Sequence, residues 1–124
     1  MNEWYAASII MLVKFKDGNQ DKFPVQENVV LIKASSGDEA TEKAEKKGRQ
    51  IERISHGTFT WNDKPAEWVF AGIRKVLTVA NATPVRNRLS NGTEVTFSEF
   101  ELESEEAFKK LINGEDVMVL YEED

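Results

Sequence analysis

His56 is the only histidine in the chain, so a single imidazole is available as a base, and no His–His metal pair can form. It stands beside Gly57 with no Ser-x-Gly elbow or spaced nucleophile near it, and it reads as a loop residue rather than as part of a triad. Cysteine is absent, which excludes disulfides, thiolate zinc sites, iron–sulfur clusters and thiol nucleophiles together. Asp17, Asn19 and Asp21 have the spacing that opens a calcium loop. Lys22, however, stands where that loop needs glycine, and Asn28 where it needs a bidentate glutamate, so the segment reads as a hairpin turn. The 22 carboxylates include no pair singled out for acid and base work. Ser36-Gly37 is a helix start whose amides could hold an anion, but there is no glycine-rich phosphate loop. No catalytic residue, cofactor or metal ligand is assigned on these grounds.

Three surface features remain. Phe59, Trp61, Trp68 and Phe70 cluster around one turn at strand spacing; facing outward they would stack bases or grip a ligand, facing inward they would be core. Arg74, Lys75, Arg86 and Arg88 are the one basic concentration after the first helix, and with the aromatics they make the case for nucleic acid. A net charge of -6 weighs against it, because that affinity comes largely from Lys and Arg displacing counterions from phosphates. Residues 93–124, which include Glu99, Glu101 and Glu103, hold eleven acids against two lysines, whereas residues 1–92 sum to +3. This acidic segment is either a solvated face or a docking surface for a basic partner. Trp61, Trp68, Arg74, Arg86, Arg88, Glu99, Glu101 and Glu103 are therefore the candidate interaction surface.

The elements that must position these residues come from a chain of 124 residues, 40% hydrophobic and 31% charged, which suits one globular domain with a real core. That domain is expected to span residues 1–124, with the acidic tail 122–124 frayed. The longest apolar stretch, Trp4 to Val13, is about half the ~20 residues that cross a bilayer, and Asn2 and Glu3 replace the basic start of a signal peptide. A cytoplasmic protein without a membrane segment is the expectation.

Alternation along Trp4 to Lys16 predicts a strand, Asp17-Gly18-Asn19 a turn, and Val25 to Ala34 a second strand paired with the first. Ser36-Gly-Asp-Glu39 has capping-box spacing and opens a helix whose buried stripe reads Ala40, Ala44 and Ile51. The apolar spacing allows that helix either to end at Gly48 or to run through it to Ile54. Thr58 to Trp61 and Trp68 to Val79 read as strands about a turn in which Pro65 prevents regular pairing, with a bend near Gly72. Asn91-Gly92 predicts a hairpin between Val85–Leu89 and Thr93–Leu102. Ser104 caps a second helix with the apolar face Ala107, Phe108, Leu111 and Ile112; Asn113-Gly114 ends it, and Val117 to Tyr121 is a last strand. The predicted fold is α+β: a mainly antiparallel sheet of about five to seven strands with two helices packed on one face.

Trp4-Tyr5-x-Ala7, Leu31-Ile32-x-Ala34 leading into Glu39-Ala40-x3-Ala44, Trp68-x-Phe70-x-Gly72-Ile73 and Gly92-Thr93-Glu94-Val95 together resemble a family of small bacterial proteins, the domain of unknown function four-two-eight-eight. The resemblance covers nearly the whole chain. It implies an α+β bacterial protein without an assigned activity and transfers no catalytic residues. The expected function is a protein-interaction module that works without catalysis, either as an immunity-type inhibitor of a basic toxin or as a self-associating domain. The alternatives are a small-ligand binder or enzyme using carboxylates near the Trp61/Trp68 hairpin, and a weak nucleic-acid binder.

Overall fold

Alternating apolar residues from Tyr5 to Val13 make the first strand central, because both its faces can be buried. In a computed structural model, which describes residues 3–54, 57–79 and 89–122, this strand is β1 (Glu3–Phe15). It pairs antiparallel on one side with β2 (Val25–Ala34) and on the other with β4 (Lys64–Thr78). A short β3 (Thr60–Trp61) completes the order β2-β1-β4-β3. The predicted first hairpin is present. Its loop is closed by the Gln20 amide, which accepts from the Phe15 N–H at 3.1 Å and donates to the Val13 carbonyl at 2.6 Å.

Helix α1 (Gly37–Ile54) crosses one face of this sheet and runs through Gly48. The Ser36 hydroxyl accepts the Glu39 N–H at 3.1 Å, while the Glu39 carboxylate reaches back one residue further than in a capping box, to the N–H and hydroxyl of Ser35. Ala40, Ala44 and Gly48 recur every four residues on the buried stripe, and with no side chain larger than methyl they bring the helix close to Ile9 and Met11 of β1. Gly48 is retained inside the helix because the Phe70 ring of β4 occupies the space where a Cβ would stand.

Two bulges displace the β1–β4 register, between Ser8 and Ile9 and between Ile10 and Met11, and set Gly72 and Ile73 between extra residues Arg74 and Ala71. The bend near Gly72 is therefore real. The Pro65 expectation needs correction: Asn62 and Asp63, both at positive φ, form the two-residue turn, and Pro65 is already paired with Thr60. The neighbouring ladder bond runs from the Ala66 N–H to the Phe59 carbonyl, so Pro65 falls in a pair that has no N–H to contribute across the hairpin.

The C-terminal part departs further from expectation. β5 (Glu99–Glu101) and β6 (Leu120–Glu122) pair with each other in a separate two-stranded ribbon, so the six strands among the described residues do not form one sheet. Asn91-Gly92 makes a local turn, closed by the Thr93 N–H donating to the Ser90 carbonyl at 3.1 Å, but residues 93–98 are not a strand, and 85–88 of the expected partner lie outside the described residues. α2 (Glu105–Ile112) has the predicted Ser104 cap and Asn113 end, yet it does not join α1 on the sheet, and Phe108 and Ile112 are exposed. An eight-residue helix with no buried side chain lacks the apolar area that would hold it there.

Candidate functional site

The α1 side of the sheet is sealed by Tyr5, Ala7, Ile9, Met11 and Val13, so the residues between them face the other way. That second face is partly roofed. Arg74, bulged out of β4, reaches across β1 to Glu27 on β2, with 3.0 Å between Nη1 and Oε2. The Tyr121 ring of the C-terminal ribbon lies 4.4 Å from the same guanidinium. Lys75 donates to the Phe97 carbonyl, with its ammonium over the Phe97 ring, and so ties down the segment leading to β5. Beneath this roof Ser8 is fully buried, and its hydroxyl has no hydrogen-bond partner among the described residues.

Toward β2 the roof stops. Val25, Val29 and Leu31 are 54%, 42% and 38% exposed. Among the described residues the backbone there is open as well. Pro24 accepts from Val13, so the ladder to β1 uses the even-numbered residues of β2, and Val25, Glu27, Val29, Leu31 and Lys33 aim their N–H and C=O groups outward. At Lys33 the carbonyl accepts from Lys43 Nζ at 2.8 Å, which confirms that direction. No proline or bulge interrupts β2, so the edge lacks two of the usual devices that prevent strand pairing.

The sequence-derived candidates fall in several places. Trp61 and Trp68 meet edge-on at 5.9 Å, and Phe59 stacks on Trp68 at 5.5 Å; Trp68 also packs against the core beneath α1. Arg86 and Arg88 lie outside the described residues, as does His56. Arg74 is brought among carboxylates: with Lys75 it lines a cavity of about 190 Å³ bordered on the other side by Glu99 and Glu122. Glu99 is directly opposite Glu122 on the ribbon, and a hydrogen bond with Glu101, its charge and that of Glu99 push the Glu122 carboxyl above the ordinary glutamate range. Glu103 lies apart, lining an open cleft of about 500 Å³ with Glu106, Lys110 and Asp116. None of these cavities is lined by Trp61 or Trp68.

The exposed β2 edge was missed in the sequence. The signal was present in the alternation Val25-x3-Val29-x-Leu31, which places apolar residues on the face opposite Val30 and Ile32. Among the described residues no group of three or more His, Asp or Glu side chains is arranged to hold a metal ion, and no helix is long and apolar enough to cross a membrane.

The frame of β1, β2, α1 and β4 decides the family. This chain belongs to the domain of unknown function DUF4288, whose model matches residues 4–96. The DUF4288 match takes in the four-stranded sheet and α1 and stops before the ribbon and α2, a narrower span than the motifs suggested. No curated protein and no solved structure matches the chain.

Proposed function

We propose that this protein is an interaction module that works by binding another polypeptide along β2 rather than by turning over a substrate. One observation carries the reading: a ten-residue edge strand directs its odd-numbered backbone groups outward beside exposed Val25, Val29 and Leu31. Unpaired edge backbone supplies hydrogen bonds to an added strand, and alternate side chains supply its apolar contacts. A photo-crosslinking residue at Val29 of the full chain should give a covalent polypeptide adduct, and the same residue at exposed Lys46 on α1 should not. Equal labelling at both positions, or none at Val29, would contradict the proposal.

A second reading, an immunity-type inhibitor of a basic protein, is favoured by the mutual repulsion of Glu99, Glu101 and Glu122, which a cationic partner would relieve. It requires binding to a basic protein that weakens steeply with salt and with Glu101→Gln.

A further inference from the structure

We infer that the polypeptide added at β2 is a second copy of this chain, paired antiparallel about a two-fold axis at Val30. The inference rests on the interaction-module reading and names its partner. In an antiparallel pairing of two identical strands the numbers of facing residues have a constant sum, and bonding requires outward residues to face outward residues. The outward set is Val25, Glu27, Val29, Leu31 and Lys33, so only registers centred on a whole residue join the two edges.

Charge then selects among these registers. Centred on Val30, Glu27 faces Lys33 of the second copy, Lys33 faces its Glu27, and Val29 and Leu31 face each other on both sides. Centred on Val29, Glu27 would face Leu31 and Lys33 would face Val25; centred on Leu31, Lys33 would face Val29 and Glu27 would face Ser35. The Val30 register alone pairs both charges with an opposite charge, and it overlaps β2 along nearly its whole length. Lys43 does not obstruct it, because the Lys33 carbonyl has a second lone pair beyond the one Lys43 takes.

Because facing residues of an antiparallel pair share a side, the axis stands perpendicular to the sheet. The result is one eight-stranded sheet with both α1 helices on one face and both Val25-Val29-Leu31 rows adjoining on the other. The interface is self-complementary and leaves β3, covered by neither copy, at the outer edges.

Sedimentation equilibrium on the full chain over a wide concentration range tests the pairing. The expected species is a dimer of the 14.1 kDa chain. Lys33→Glu and Glu27→Lys, each alone, set two like-charge pairs across the axis and should each weaken dimerisation about tenfold or more. Mixing the two variants in equal amounts restores both opposite-charge pairs and should return the affinity to within about threefold of the natural chain. Glu27→Lys also loses the Arg74 contact, so the mixing result and Lys33→Glu carry the decision if that variant alone is unstable. Val29→Pro, which removes an outward N–H not used among the described residues, should abolish the dimer. A dimer indifferent to all these changes overturns the inference, and so does a monomer at every concentration. A monomer that still forms a Val29 adduct with a different polypeptide overturns self-pairing and leaves the module reading standing. A monomer with no adduct overturns both.

Discussion

Replacing Gly48 by alanine sets two effects of opposite sign against each other at one position. In a helix interior alanine is favoured over glycine by about 1 kcal/mol. At Gly48 the new methyl would stand 2.3 Å from Phe70 Cδ1, 2.5 Å from Cε1 and 3.0 Å from Cγ, all inside the ~3.5–4.0 Å of an ordinary carbon contact. The ring has little freedom to withdraw. Arg49 lies over it at 5.4 Å, and the Phe70 N–H is fixed to the Glu52 carboxylate at 2.7 Å. Overpacking of this kind costs about 1–3 kcal/mol, so Gly48→Ala should destabilise by about 0–2 kcal/mol net. With Phe70→Ala every atom of the obstruction is gone, and the same substitution should stabilise by up to about 1 kcal/mol. Urea midpoints of the four proteins of this double-mutant cycle, at unchanged m, give a coupling of about 1–3 kcal/mol. A Gly48→Ala effect of equal size and sign in both backgrounds would refute the packing explanation of the glycine.

Other perturbations test the roof over the second face. Ser8→Ala removes a buried hydroxyl with no hydrogen-bond partner among the described residues and should be neutral or stabilising by up to about 2 kcal/mol; a loss above about 1 kcal/mol on thermal or urea melting would show that the hydroxyl has a partner. Glu122 has a folded-state pKa above its unfolded value, so folding takes up a proton there: the β5–β6 ribbon should tighten as pH falls from neutral through that raised value, with no further gain below about 4.5, where the unfolded chain is protonated too. Carboxyl titration by nuclear magnetic resonance should place Glu122 above the ordinary range, and Glu122→Gln should remove the acid-strengthening. A Glu122 that titrates at or below the ordinary value would contradict the arrangement of the ribbon.

Much of this frame was legible because its signals are local. Period-two alternation marked β1 and β2, the Ser36–Glu39 spacing marked the start of α1, and Gly72 marked the bend between two bulges. Gly48 was ambiguous because its reason is a ring supplied by β4, far off in sequence. The Trp61–Pro65 turn was misread because Pro65 lies in a pair whose N–H is not needed, a fact of register and not of residue type. α2 was expected on the sheet from its apolar spacing, but Phe108 and Ile112 of that face are exposed, since amphipathicity states that a helix has an apolar side and not where it docks. The contacts of Arg74 with Glu27 and Tyr121 were not legible, because they join β4 to β2 and to the C-terminal ribbon across long stretches of sequence.

Amide hydrogen exchange along β2 as a function of protein concentration tests the interaction claim most directly. The N–H groups of Asn28, Val30 and Ile32 bond to β1 and should be protected at every concentration, whereas those of Glu27, Val29 and Leu31 point outward. Protection of this second set that appears as concentration rises and disappears on dilution is the predicted result. Free exchange of Glu27, Val29 and Leu31 at all concentrations would show an edge that recruits no second copy, and their protection at extreme dilution would show an edge already closed within a single chain.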